Sequence, residues 1–180
     1  TNEQKDTLAG ATDVNVLENW LANYAAPTAP VNEVVFVDTR VSDYATILAG
    51  IDSNIPVVLL DSQQDGIEQI ARYLAQNPSQ SLDAIHLISE GNEAELHLGH
   101  SFLTQESLTT TYAEQFRQIG QSLSQNADVL IYGCNFGRGD AGQLAMDTLA
   151  TLTGADIAAS IDRTGHALEF GDWQLERSTG

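Results

Sequence analysis

The sequence predicts an α/β fold, a doubly wound and mainly parallel sheet flanked by helices. Five short apolar runs recur between residues 33 and 160, rich in β-branched residues and nearly continuous in hydrophobicity, as strands buried on both faces require. Between them, apolar residues repeat at helical spacing. Of the 180 residues, 42% are hydrophobic and only 18% charged, which suits one substantial core and not an acidic disordered tail.

In chain order, residues 1–30 read as an N-terminal helical appendage. A polar start (TNEQKDTLAGAT) precedes Val14, Leu17, Leu21 and Tyr24 at helical spacing, with Asp13 as N-cap, and Pro27 and Pro30 close the segment. The main domain is expected over 31–180. EVVFVD (33–38), PVVLLD (56–61), AIHLIS (84–89), DVLIYG (128–133) and ADIAAS (155–160) are its parallel strands. The first helix carries Tyr44, Ile47, Leu48 and Ile51. The second carries Ile67, Ile70, Ala71 and Leu74 behind a Ser62–Asp65 capping box. A third and longest helix is expected from Leu108 through Tyr112, Phe116 and Ile119 to Leu123, and the last over Ala141–Leu152. The alternation β-α-β-α-β-α-β-α-β is the pattern of a doubly wound sheet. Two stretches depart from it: ELHLGHSFL (95–103) reads as a small inserted hairpin around Gly99, and ALEFGDWQLE (167–176) as a C-terminal antiparallel edge.

Charge narrows the partners. Seven Lys and Arg face 25 Asp and Glu, a formal charge of -18, so no basic footprint for nucleic acid is present and an anionic membrane surface is disfavoured. No apolar run approaches the roughly 18 residues of a membrane span, so membrane insertion is not expected, and no signal peptide opens the chain. A single cysteine, Cys134, can neither close an internal disulfide nor build a multi-cysteine zinc site.

Ligands of open α/β sheets bind at the carboxyl ends of the strands. Standing there are Asp38-Thr39-Arg40, Asp61, Ser89-Glu90-Gly91, Gly133-Cys134-Asn135 and Ser160-Ile161-Asp162-Arg163. Cys134 follows a buried strand directly, and Gly133 permits a tight turn near amides that could face an oxyanion. Spacing alone favours Cys134 packing as a small apolar residue over a reactive role. Gly133, Gly137 and Gly139 fit neither a phosphate-binding loop nor a dinucleotide fingerprint, and there is no nucleophile-elbow serine, so no cofactor is expected. His97 and His100, with Glu90 and Glu95 nearby, could hold a metal, although histidines at a turn are more often solvent-exposed. His86, inside an apolar strand, reads as a hydrogen-bonded core histidine.

The blocks VVFVDTRVSDYATILAGI, VVLLDSQQDGIEQIARYL, LDAIHLISEGNEAELHLG, ADVLIYGCNFGRGDAGQ, LTGADIAASIDRTG and FGDWQLE together resemble the caspase-like module of unassigned function found in very large bacterial surface adhesins and repeat proteins. The resemblance spans roughly residues 33–180 and extends to the caspase, gingipain and clostripain-like cysteine peptidases. It implies that Cys134 stands at the nucleophile position, and that the amides of Gly91 and Cys134 supply an oxyanion hole. It implies a polypeptide partner, such as a segment of the same parent protein, and a secreted or cell-surface location. The family pattern Ser-His-Gly reads Ser89-Glu90-Gly91 here, so Glu90 occupies the position of the catalytic histidine. A carboxylate beside a thiol repels the thiolate and keeps the sulfur protonated at neutral pH, so weak or absent peptidase activity is expected. In related folds the specificity pocket follows the first and fifth parallel strands, which points to Asp38, Arg40, Asp162 and Arg163. The four carry both signs of charge, so no substrate preference follows. Asp38 could equally serve as a strand-end turn acceptor.

Overall fold

A computed structural model describes residues 32–42, 44–78, 81–162 and 175–180. The appendage helix, the linker before the domain, most of the alternating stretch 167–176 and Arg163 lie outside the described residues.

All five expected strands form, and all run parallel. Strands β1 (Glu33–Asp38), β2 (Val57–Leu60) and β3 (Leu82–Ser89) lie in the order β2-β1-β3. After β3 the chain makes a separate antiparallel sheet of β4 (Gly91–Asn92), β5 (Glu95–Leu98) and β6 (Ser101–Leu103). It then returns to the main sheet as β7 (Leu123–Gly133) and β8 (Asp156–Ala159), with β9 (Arg177–Ser178) closing the edge. The order β2-β1-β3-β7-β8-β9 is parallel throughout except for β9, which pairs antiparallel with β8 through Ala158↔Ser178 and Ala159↔Arg177. The inserted hairpin is present around Gly99, with β4 as a third strand that the sequence pattern does not announce.

Helices are α1 (Tyr44–Gly50), α2 (Gly66–Gln76), α3 (Gln105–Thr109), α4 (Ala113–Gln121) and α5 (Gly139–Thr153). Alternation along the strands sorts the core into two layers. Val34, Phe36, Leu87 and Ile131 point to the face covered by α2, α4 and α5, where Ile67, Ile70, Phe116, Ile119, Met146 and Leu149 meet them. Val35, Val37, Ile88 and Tyr132 point to the other face, against Ile47 and Ile51. Each fully buried Leu, Ile or Phe contributes about 1.5–3 kcal/mol of apolar transfer, so these two layers dominate the stability.

Two local expectations change. The long helix over 108–123 is two helices with a break at Thr110–Tyr112, and Leu123 already belongs to β7. At the break the hydroxyls of Thr109 and Thr110 donate to the carbonyls of Gln105 and Glu106. The N-cap of α2 is Asp65 itself, whose Oδ1 accepts from the N–H groups of Ile67 (2.9 Å) and Glu68 (3.0 Å). Ser62 is not part of it.

Candidate functional site

Parallel pairing of β3 with β7 builds the site. Ser89 stands opposite Gly133, so the next residues, Glu90 and Cys134, leave the sheet side by side at its carboxyl edge. Adjacent strands lie about 4.8 Å apart, which sets the scale of their approach. Glu90 is exposed and Cys134 half-buried.

Both strand ends carry a glycine with close neighbours. A Cβ on Gly133 would stand 2.1 Å from Leu96 Cδ1, so the hairpin core packs directly onto the turn before the thiol. A Cβ on Gly91 would stand 2.9 Å from the Glu95 carbonyl oxygen and 3.2 Å from that of Cys134. The two residues of the expected oxyanion hole are therefore brought together.

The loop after Cys134 is tied on all sides. Asn135 adopts φ 61°, a left-handed conformation that asparagine tolerates better than most residues. Its N–H donates to the Asp162 carbonyl at 2.6 Å, and the Gly137 N–H to the Ser160 carbonyl at 2.8 Å. Within the loop, Phe136 N–H reaches the Gly133 carbonyl (3.1 Å) and Arg138 N–H that of Asn135 (3.0 Å). From the β4–β5 turn, Ala94 N–H donates to the Phe136 carbonyl at 3.1 Å. Asp162 thus reaches the site through its backbone, while its carboxylate accepts from the Ser160 hydroxyl at 3.3 Å.

Asp38 and Arg40 stand at the end of β1 and hold one another. Asp38 is 1% exposed, and it accepts from Arg40 N (2.9 Å), Arg40 Nε (3.3 Å), Arg40 Nη2 (3.4 Å) and Gly99 N (2.7 Å). Arg40 Nη2 also donates to the Gly99 carbonyl oxygen. The pair clamps the hairpin tip, where Gly99 takes φ 62°. The turn-acceptor role of Asp38 is therefore realised. The hairpin tip lies against the end of β1 and the loop leading into α2, where Gly99 bridges Asp65.

The histidines separate. His86 is fully buried, with Nε2 2.7 Å from Glu33 Oε2 and its ring stacked on Tyr132. It is a core histidine, four residues back along β3 from Glu90. His97 N–H donates to the Glu90 carbonyl at 2.9 Å, and its Nε2 lies 2.8 Å from Glu95 Oε1. Extending the β4–β5 register by one residue sets Glu90 opposite His97, which pairs with Phe102 on β6. Glu90, His97 and Phe102 thus form one cross-strand row on the face away from Leu96. His100 is exposed, and its N–H donates to the Gln64 carbonyl at 2.9 Å. Among the described residues, no group of three or more His, Cys, Asp or Glu could hold a metal ion.

Beneath the hairpin, Asp65 also accepts from the Tyr112 hydroxyl at 2.7 Å. Burial pushes its carboxyl up, but hydrogen bonds from Glu68 N–H, Tyr112, Ser101 and Ile67 N–H outweigh this and hold it below the usual carboxylate range. Burial pushes the Tyr112 phenol up, with a smaller contribution from Asp65.

Sequence reasoning missed three parts of this arrangement. Gly139 carries Glu93 against it, Arg177 Nη1 donates to the Gly139 carbonyl at 2.6 Å, and Gly99 is the hub of the Asp38–Arg40 clamp. The strand-end aspartate signals its turn to Arg40, but its reach to Gly99, 61 residues away, leaves no local sign. The other two are long-range and leave no local trace. A family model described as a domain of unknown function (DUF4347) matches residues 34–180. No curated protein matches the chain.

Proposed function

The chain belongs to the family described as a domain of unknown function (DUF4347), and for it we propose a caspase-like, cysteine-peptidase-type module whose thiol is held out of action by Glu90. In this reading it serves as a contact or spacer unit within a larger bacterial surface protein, meeting a polypeptide segment at the cleft. The observation that supports it is the emergence of Glu90 beside Cys134 from adjacent parallel strands. Thiol attack on a peptide carbonyl needs a base to take the thiol proton, or a positive neighbour to hold the thiolate. A carboxylate there repels the thiolate instead, and as a base it is weaker than imidazole near pH 7. Asp38 and Arg40 act as the hairpin clamp, which leaves Asp162, whose carbonyl accepts from Asn135 N–H beside Cys134, as the described residue of the expected pocket that meets a polypeptide.

Alkylation of Cys134 tests this. At pH 7 it should react with iodoacetamide no faster than an ordinary thiol, whose pKa is about 8.5. Glu90→His should raise that rate or produce cleavage of the chain or of added peptides. A wild-type thiol that alkylates fast, with a pH midpoint well below about 8, would sink the proposal.

One observation favours a second reading, an active and self-processing endopeptidase. His97 is oriented by Glu95 at 2.8 Å and stands in the row that passes through Glu90. A carboxylate-held imidazole is the arrangement a general base needs. If this reading holds, the wild-type chain cleaves itself or a peptide, and His97→Ala abolishes the cleavage while Glu90→Gln does not.

A further inference from the structure

The helices described account for one face of the sheet and not for the other. We propose that the face holding Val35, Ile88, Leu130, Tyr132 and Ala158 is the docking surface of the chain's own N-terminal segment, covered by the stripe Val14, Leu17, Leu21 and Tyr24.

Width sets the requirement. The five parallel strands, β2-β1-β3-β7-β8, span about 19 Å at about 4.8 Å per step, and a helix with its side chains is about 10–12 Å across. Each face therefore needs two helices side by side. The opposite face has α2, α4 and α5. Among the described residues, the helix on this face is α1, seven residues long, with Ile47 its one buried residue. It is the crossover from β1 to β2, the pair at one edge of the sheet.

The face is nevertheless dry well beyond that edge. Leu130 and Tyr132 on β7 are each 1% exposed, and Ala158 on β8 is 4% exposed. On β3, the buried His86 holds Glu33 at 2.7 Å and stacks on Tyr132. Such a pair keeps its strength only where water is kept out. Leu175 joins this cluster but is itself only half-buried. The cover over β3, β7 and β8 has to come from elsewhere in the chain.

Where the chain enters identifies the occupant. Asn32 N–H donates to Asp83 Oδ2 at 3.2 Å, and the Asn32 carbonyl accepts from Asp83 N–H at 2.7 Å, so residues 1–31 lead in at the foot of β3, next to Ala84 and His86. A helix over 13–24 would be about 18 Å long, and residues 25–31 reach at most about 24 Å, enough to lay that helix along β3 and β7 from this entry. Its apolar stripe, with Trp20 beside it, matches the apolar face, while Asn15 and Asn19 fall on its polar side. Residues 163–174 suit the role less well. Their flanks meet where the Glu176 carboxylate accepts from Ile161 N–H at 2.8 Å, and their apolar residues alternate as in an edge strand.

Solution NMR on the full chain tests this. Nuclear Overhauser contacts should join the Trp20 indole and the Leu17 and Leu21 methyls to the methyls of Leu130 and Ala158, and not to those of Ile131 and Ala159, which face the other layer. In a mixture of labelled and unlabelled chains, filtered for contacts between copies, these signals should vanish. Leu17→Asp with Leu21→Asp should lower the urea midpoint by about 0.5–1.5 M, whereas Asn15→Asp with Asn19→Asp, the same charges on the polar side, should move it by less than about 0.2 M. Contacts that run between copies would make a second chain the occupant, contacts from Trp173 in place of Trp20 would make it the 163–174 stretch, and either overturns the proposal. So do contacts to Ile131 or Ala159, no contact at all, or a midpoint unmoved by the Leu17 and Leu21 substitutions.

Discussion

Replacing Asp38 with alanine should cost far more than its single charge suggests. The carboxylate receives four N–H groups, three from Arg40 and one from Gly99, and is 1% exposed. Loss of the acceptor strands the buried Gly99 N–H, a penalty of about 1–3 kcal/mol, and removes the Asx turn to Arg40 N–H for about 1 kcal/mol more. The Arg40 side chain is 40% exposed, so its guanidinium can turn to water, and the ion pair adds little. The expected loss is about 2–4 kcal/mol. With a urea slope of about 2 kcal/mol per molar, the unfolding midpoint should fall by about 1–2 M, read by far-ultraviolet circular dichroism at pH 7. Arg40→Ala should cost less than about 1 kcal/mol in the same assay. An Asp38→Ala variant within about 0.5 kcal/mol of the wild type would refute the clamp. Equal costs for the two substitutions would show that the ion pair, and not the stranded amide, carries the energy.

Other outcomes follow from single contacts. Gly133→Ala should destabilise by about 1–3 kcal/mol through the clash with Leu96 Cδ1, and Leu96→Ala introduced with it should recover part of the loss in a double-mutant cycle. Because the folded Asp65 carboxyl lies below its ordinary value, it stabilises the fold above the unfolded value of 3.8, and this contribution fades as pH falls through the lower folded value. Asp65→Ala should therefore lose about 1–2 kcal/mol near neutrality and show a shallower acid limb in stability measured from pH 5 downward. Glu33→Leu or His86→Leu alone should cost about 3–5 kcal/mol by leaving one buried polar partner, whereas the double substitution should recover most of that in chemical denaturation.

The fold was legible because its signals are local and repeated. Runs such as EVVFVD and DVLIYG are buried on both faces and say so in every residue, and the helical stripes between them supply the crossovers. The neighbouring exits of Glu90 and Cys134 could be anticipated once the third and fourth parallel strands were taken as adjacent. What could not be read depends on contacts distant in sequence: Asp38 meets Gly99 across 61 residues, and Arg177 meets Gly139 across 38. The break in the 108–123 helix was obscured differently. The spacing of Leu108, Tyr112, Phe116 and Ile119 suits one continuous helix, and apolar periodicity does not register that the backbone leaves the helix at Thr110–Tyr112.

Hairpin tips are usually where a chain accepts a tag, a graft or a new pair of termini. Gly99 reverses that rule. Its tip is buried, an added Cβ would stand 2.0 Å from the Gln64 carbonyl oxygen, and its own amide and carbonyl are both held by the Asp38–Arg40 pair. A peptide spliced in at residues 99–100 would have to be threaded out from between the ends of β1 and α2, and would dislodge the base of the inserted hairpin with it. The exposed break at Thr110–Thr111 has no such anchoring role and is the better place to open this chain.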